Sequence, residues 1–237
     1  MFSLHVDTAR SWRGGQNQVL LTVLGLRARG HRTTLVAHPD GELQRRAAEG
    51  PDLIPIASSG EMGFRAAWQL SRVLTALRPT VVHAHDAHAV AMGALARSLG
   101  RLAPLPRFVV SRRVDFHVRR NTFSRWKYAQ VDLFLCASNA IRTMLVGDGV
   151  PAERTLTVYE GVDLEHVAAA PRLDVHAELW LPSGAPLVGN VAALVRPPKA
   201  RVPGPGNGLE RPPLWRSLVY ILLGSGIALW ALVTLVA

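Results

Sequence analysis

The sequence has a single cysteine among its 237 residues, which excludes an intramolecular disulfide bond. Because Cys136 lies in the apolar stretch DLFLCAS, we expect it to be a small buried hydrophobic residue in a reducing cytoplasm. The N-terminal residues also lack a basic segment followed by a long apolar stretch, so we expect no signal peptide.

Lysine is scarce as well. Only Lys127 and Lys199 are present, so arginine supplies nearly all of the positive charge in a chain with 27 Lys+Arg against 17 Asp+Glu. The arginines are scattered and form no stripe with interleaved aromatic residues, so we expect no nucleic acid partner. Attraction to anionic lipids or to phosphorylated substrates explains the basic character equally well.

The dinucleotide pattern G-x-G-x-x-G is absent after the first apolar strand, which argues against a nicotinamide-dependent reductase. That strand is followed instead by DTARSWRGGQNQVLL, in which Gly14 and Gly15 directly precede a helix-forming segment. Two interpretations are open. The glycines allow a sharp turn at positive φ, or they let a ligand approach the free N–H groups at the helix N-terminus.

Short apolar runs alternate with helical patterns along residues 1–170, which predicts an α/β fold with a doubly wound parallel sheet. We expect the first helix to end at Gly30. We expect the helix FRAAWQLSRVLTALRP to place Trp68, Leu70 and Leu74 on one broad apolar face. The predicted strands are FSLHV, RTTLVAH, PDLIPIA, TVVHAH, RFVVSRR, DLFLCAS and RTLTVYE.

The residues that follow these strands are the candidate site residues, because doubly wound sheets bind ligands outside the carboxyl ends of their strands. Ser138 and Asp86 are also expected to be helix N-caps, and Glu160 could merely shape a turn around Gly161. In chain order the candidates are Gly14, Gly15, His85, Asp86, Arg112, Arg113, Ser138, Glu160 and Gly161.

Histidines are concentrated in the segment HAHDAH, where His83 and His85 share one face because side chains alternate along a strand. Together with His88 they suggest a metal site, but no cysteine or glutamate-rich segment completes the ligand shell. We therefore predict no metal here. We expect His85 to steer or polarise a hydroxyl group, with a purely structural histidine as the alternative.

Three segments resemble the N-terminal half of the glycosyltransferases of family 4, which are retaining enzymes of the GT-B fold. They are HVDTARSWRGGQNQVLLTVLGLRARGH, VVHAHDAHA and VDLFLCASNAIRTMLVGDGVPAERTLTVYEGVDLEHV. The most specific feature is the series GG, HAH, SNA and EGVD at the ends of successive strands. The resemblance implies that residues 1–170 form a Rossmann-like acceptor domain, which faces a donor domain across a cleft.

The resemblance also implies roles for the candidate residues. Gly14 and Gly15 would lie near the donor phosphates, and His85 would be the catalytic histidine beside the reacting sugar. Acceptor contacts are implied for Gln16, Asp86, Arg112 and Arg113, and other cleft positions for Ser138, Glu160 and Gly161. Helix N–H groups and cations stabilise the charge on leaving phosphates without a metal. The implied ligands are a nucleotide-sugar and a carbohydrate or lipid-linked acceptor, with no further cofactor.

The resemblance ends after residues 186–195, PLVGNVAALV, which are similar to the first strand of the donor domain, so that residues 171–195 would be an interdomain segment. The 18 residues 196–213 contain six prolines and three glycines and predict a linker. The Glu-x7-Glu donor motif of the family is missing. We therefore expect the chain to be inactive by itself.

Residues 214–237 contain 21 consecutive uncharged residues, 217–237, which predict a membrane-spanning helix. Arg211 and Arg216 precede this segment and favour a cytoplasmic domain anchored to the inner face of the membrane. Two alternatives stay open. A reading-frame change in the coding sequence would also alter the sequence character at residue 196, and a membrane-tethered carbohydrate- or partner-binding module without catalysis would share these features.

Overall fold

The computed structural model describes residues 1–48, 50, 52–58, 63–100, 102–118, 121–171, 173–182 and 184–186. Its strands are β1 (Phe2–Val6), β2 (Arg32–Ala37), β3 (Asp52–Pro55), β4 (Val81–Ala84), β5 (Arg107–Arg112), β6 (Leu133–Cys136) and β7 (Thr155–Thr157). Its helices are α1 (Gly14–Ala28), α2 (Glu42–Ala47), α3 (Phe64–Leu77), α4 (Ala87–Leu99), α5 (Thr122–Ala129), α6 (Asn139–Gly147), α7 (Leu164–Ala169) and α8 (Val175–Glu178), with a 3₁₀ turn at Ala152–Arg154.

All of these strands belong to one parallel sheet, in the order β3-β2-β1-β4-β5-β6-β7. From β1 the chain winds outward through β2 to β3, then crosses back and continues from β4 to β7 on the other side of β1. The strand order therefore reverses between β1 and β4. A crevice opens at such a switch point, at the carboxyl ends of the strands. The predicted doubly wound α/β sheet is confirmed.

The two faces of the sheet bury different sets of residues. Leu35 of β2 packs in one apolar cluster with Val19 and Val23 of α1, whereas Val36 packs in a larger cluster that includes Leu70 and Leu74 of α3. Successive side chains of a strand point to opposite faces. The sheet therefore has a face covered by α1 and α2, called the α1 face below, and an opposite face on which α3 packs.

The structure confirms the local sequence signals from which the helix boundaries were predicted. The chain turns at Gly30, which follows the last turn of α1 with φ of +78°. The side chain of Asp86 caps α4 by accepting from the backbone N–H groups of His88 and Ala89. Ser138 caps α6 in the same way, accepting from the N–H of Ile141 at 3.3 Å.

The expected apolar face of α3 is narrower than the sequence indicates. Leu70 and Leu74 are buried, but the side chain of Trp68 is 52% exposed and the guanidinium of Arg72 lies over its ring. The prediction for Trp68 was wrong, because an apolar residue at the border of a helical stripe packs only where a neighbouring element reaches it. Cys136 is buried, as expected.

Residues 1–185 form one compact unit. Among the described residues, no helix combines the length and the apolar character that crossing a bilayer requires. The predicted linker at 196–213 and the predicted membrane-spanning helix at 214–237 lie outside the described residues, as does most of the segment 186–195.

Candidate functional site

The middle of the α1 face is polar, although the strands that form it are otherwise apolar. On β1, Leu4 and Val6 point to the α3 side, so Ser3 and His5 face α1. On β4, Val82 and Ala84 likewise place His83 on the α1 face, where it is the register partner of His5. The sheet thus has a buried polar row directly beneath the switch point.

His85 lies at the carboxyl end of β4 and joins this row. Its Nε2 is 3.0 Å from Nδ1 of His5, and its Nδ1 is 3.3 Å from Nη1 of Arg113. The ring of His83 lies 4.0 Å from that of His85 and is hydrogen-bonded to Oγ of Ser111 at 2.8 Å. The expected common face of His83 and His85 is therefore present.

The three imidazoles are neutral at neutral pH. Burial lowers the pKa of His5 to about 4. Burial also lowers the pKa values of His83 and His85 well below the usual range, with smaller contributions from neighbouring imidazoles and from the charge of Arg113. Each ring therefore carries one N–H and one acceptor nitrogen at neutral pH.

The N-terminus of α1 lies beside the side chain of Arg113, which contacts His85. Arg13 is the N-cap residue but makes no side-chain capping bond, and the first turn contains no acidic residue. The first N–H groups of this 15-residue helix are therefore available to an anion. Gly14 and Gly15 are the first two helical residues, and neither has a left-handed φ, so the interpretation of the pair as a positive-φ turn was wrong.

The space around the two glycines is open. A Cβ at Gly14 would meet nothing within 4 Å, and one at Gly15 would only touch Cδ of Arg113 at 4.0 Å. Packing within the described residues therefore does not require glycine at either position. An approaching ligand does remain a reason for the missing side chains.

Arg113 connects the histidines to the loop after β7. Its guanidinium forms an ion pair with Glu160, and Gln18 of α1 donates to the carbonyl of Gly161 at 2.6 Å. Arg113, Glu160 and Gly161 also line a cavity of about 190 Å³ on the α1 face, together with Gln18, Thr22, His83, Ser111, Leu135, Ala137, Val158 and Tyr159. The carboxyl ends of β4, β5, β6 and β7 therefore meet around this cavity.

Gln16 and Asp86 contact two consecutive residues after β1, and the first of these, Asp7, is one that the sequence analysis did not identify. Nε2 of Gln16 donates to Oδ2 of Asp7 at 3.1 Å, and Asp86 accepts from the N–H of Thr8 at 2.6 Å and from its hydroxyl at 2.9 Å. Burial raises the pKa of Asp7 to about 6, and the nearby charge of Asp86 adds to this shift. Asp7 therefore titrates close to neutral pH.

Among the described residues, two of the predicted site residues make only local hydrogen bonds through their side chains. Arg112 donates to the carbonyl oxygen of Phe116, and Ser138 caps α6. Neither is hydrogen-bonded to His5, His83, His85 or Arg113 within the described residues. Their assignment to acceptor binding and to the cleft stays a prediction.

His5 and Asp7 are the functional candidates that the sequence analysis did not find. The available signal is the alternation Ser3, His5, Asp7, which puts three polar side chains on one face of a strand whose other face is apolar. When this alternation is ignored, the segment FSLHV is interpreted only as a short apolar strand.

The described residues contain one histidine trio with the proximity of metal ligands, and it differs from the one considered above. His88 is exposed on α4, whereas ligand atoms of His5, His83 and His85 all lie within 4.8 Å of one another. These three residues could hold a metal ion by proximity alone. The absence of a metal stays a prediction.

Several solved structures are similar to this chain. A glycosyltransferase from Rickettsia africae aligns with a TM-score of 0.62 and 14% identity, over 78% of this chain and 51% of that one. HepE of Anabaena, in complex with UDP-glucose, aligns with a TM-score of 0.55 and 17% identity, over 70% and 45%. The lipopolysaccharide outer core galactosyltransferase WaaB aligns with a TM-score of 0.51 and 12% identity, over 68% and 46%.

At these identities the similarity establishes the fold, and this chain spans about half the length of the similar structures. No curated protein sequence matches the chain. The sequence model described as Glycosyltransferase Family 4 matches residues 12–166, which is more than half of the chain and includes the N-terminus of α1, the histidine segment and the loop after β7. This chain therefore belongs to glycosyltransferase family 4.

Proposed function

We propose that this chain is the acceptor-side domain of a glycosyltransferase that moves a sugar from a nucleotide-sugar to a glycan, a lipid or a cell-envelope precursor. The observation that carries this proposal is the uncapped N-terminus of α1, which begins with Gly14 and Gly15 and lies beside the side chain of Arg113. Free N–H groups and a cation at a switch point are suited to a diphosphate.

The proposed chemistry follows from where charge develops. When the bond between the sugar and the diphosphate breaks, negative charge grows on the leaving phosphates and positive charge grows on the sugar. In the proposal, the N–H groups at the start of α1 and Arg113 stabilise the phosphates, and no metal is needed. His85 contacts a hydroxyl of the reacting sugar or of the acceptor and holds it in position.

Arg113 changes partners when the phosphates bind. In the structure it pairs with Glu160 and contacts His85. A diphosphate carries more negative charge than the carboxylate of Glu160, and it is a stronger partner for a guanidinium than a neutral imidazole is, because both groups are ionised. In the proposal, binding therefore moves Arg113 toward the ligand and exposes Nδ1 of His85.

The similar structures support a nucleotide-sugar as the donor. HepE is described in complex with UDP, with UDP and glucose, and with UDP-glucose. Because this chain covers only 45% of HepE, the proposal assigns to it the first half of a site whose second half is supplied elsewhere. For the same reason we propose that the chain alone does not catalyse transfer.

The proposal is tested by titrating ¹⁵N-labelled protein with UDP-glucose and following the backbone amide resonances. We expect the largest shifts at Gly14, Gly15 and Gln16, with no requirement for added divalent cation. Gly15→Ala should raise helix stability by up to about 1 kcal/mol and weaken binding, because its methyl group occupies the approach to the N–H groups. Gly147→Ala is the matched control, since its added Cβ also meets open space in a helix.

Three outcomes would contradict the proposal. They are unchanged amides at the start of α1 at millimolar UDP-glucose, equal binding by wild type and Gly15→Ala, and turnover of UDP-glucose by the purified chain. Shifts caused by an oligosaccharide but not by UDP-glucose would instead identify a carbohydrate-binding module without catalysis.

We further propose that residues 217–237 anchor the protein to the inner face of the membrane. The support is their length of 21 uncharged residues, preceded by Arg216. Carbonate extraction of membranes from expressing cells should leave the chain in the pellet. Ile227→Arg, which places a charge near the middle of the segment, should release it. Release of the wild-type chain by carbonate would refute the anchor.

A further inference from the structure

We propose that His5 is a positioning residue that fixes the orientation and the tautomer of His85. The proposal rests on the proposed function only for the catalytic use of His85, because the contacts themselves are present in the structure. A continuous chain of contacts runs from Glu160 through Arg113, His85 and His5 to Ser3, and thus from the loop after β7 into the first strand.

The direction of the hydrogen bonds in this series of contacts follows from the charge of Arg113. A guanidinium only donates, so Nδ1 of His85 must be the acceptor facing Arg113. The single proton of the neutral His85 ring is then on Nε2, which donates to Nδ1 of His5 at 3.0 Å. The proton of His5 is consequently on Nε2, where Oγ of Ser3 accepts it at 3.0 Å. In this arrangement each N–H of the two rings faces an acceptor, and each unprotonated ring nitrogen faces a donor.

The geometry of the His5–His85 contact is that of a hydrogen bond and not of two ligands to one metal ion. The planes of the two rings are nearly parallel, at 16°, and their centroids are 5.3 Å apart, which is close to the 3.0 Å contact plus the centroid-to-nitrogen distances of the two rings. The contact is therefore collinear with the ring centres. Two lone pairs directed at a tetrahedral ion would instead meet at an angle.

His5 is suited to this role by its place in the fold. It is 1% exposed, and its ring lies on β1, which is hydrogen-bonded directly to β4. A rigid acceptor on a central strand holds Nε2 of His85, so Nδ1 of His85 points toward Arg113 and the site. When Arg113 turns to a bound phosphate, Nδ1 of His85 is left as an acceptor for a sugar hydroxyl. Without His5, either ring nitrogen could carry the proton.

The test is ¹⁵N NMR of the histidine side chains in the ligand-free chain at neutral pH. In the wild type we expect His85 to be a single tautomer with an unprotonated Nδ1, and a coupling across the hydrogen bond from Nε2–H of His85 to Nδ1 of His5. The histidine variants are compared in an Arg113→Met background, because the guanidinium of Arg113 by itself holds Nδ1 of His85 as an acceptor. In that background, His5→Phe should shift Nδ1 of His85 toward the average of the two tautomers. His5→Asn should restore the wild-type tautomer, since the amide oxygen of Asn lies near the position of Nδ1.

His83→Phe is the matched control, because it removes a buried ring next to His85 that makes no hydrogen bond to His85. It should leave the His85 tautomer unchanged. The proposal is overturned if wild-type His85 carries its proton on Nδ1, if the coupling is absent, or if His5→Phe and His83→Phe have the same effect. The wild-type measurement decides the matter even where His5→Phe does not fold. None of these spectra requires UDP-glucose, so failure here is distinct from failure of the titration above.

Discussion

Replacing Asp7 by asparagine should stabilise the protein at pH 8 and lose this advantage in acid. Asp7 is 2% exposed, and burial together with the charge of Asp86 raises its pKa from 3.8 to about 6. A carboxyl group with a raised pKa contributes stability that is fully present below pH 3.8 and is lost as the pH rises through 6. Asparagine is neutral throughout and does not undergo this loss.

The magnitude follows from the size of the shift. At 1.36 kcal/mol per pKa unit, a rise from 3.8 to about 6 corresponds to ~3 kcal/mol between acid and alkaline conditions. Part of this is offset, because Gln16 donates to both oxygens of Asp7 and must rotate its amide to match an asparagine. We therefore expect Asp7→Asn to gain about 1–2 kcal/mol at pH 8 relative to wild type.

Urea unfolding followed by far-UV circular dichroism at pH 4, 6 and 8 measures the difference. Both proteins should also lose stability as the pH falls from 6.5 toward 4, because burial lowers the pKa of His5 from 6.5 in the unfolded chain to about 4 in the folded protein. That loss is common to both and cancels in the comparison. A destabilisation by Asp7→Asn that is the same at all three pH values would refute the reasoning, because it would show that Asp7 does not titrate in this range.

Substitutions at two further positions test the packing and the capping that position the site. Gly93→Ala should lower the free energy of unfolding in urea by about 1–3 kcal/mol, because the added Cβ would lie 2.7 Å from Cζ of the fully buried Phe108. For the control Gly147→Ala we expect a change within about 0.5 kcal/mol. A change that small in Gly93→Ala would contradict the close packing of Gly93 against Phe108. Asp86→Ala should cost about 1–2 kcal/mol, because it removes the cap of α4 and the partner of Thr8. Asp86→Asn should retain most of that stability, and equal losses in the two Asp86 variants would show that the capping bonds contribute little.

The elements that local sequence determines were predicted well. Apolar runs and helical stripes arise from neighbouring residues, so the alternation of strands and helices could be read directly. The N-caps at Asp86 and Ser138 and the turn at Gly30 are local for the same reason. Trp68 was misplaced because its burial depends on which element packs beside it.

The sequence by itself thus determined the α/β class, the parallel sheet and most of the candidate residues at its carboxyl edge. Only the tertiary structure decided which of those residues meet. His5 and His85 are 80 residues apart and come into contact because β1 pairs with β4, an arrangement that hydrophobic periodicity does not encode. The same pairing brings Asp7 close to Asp86, whose charge adds to the larger effect of burial in raising the pKa of Asp7. Strand order, which is a property of the whole chain, therefore turned separate strand ends into one site.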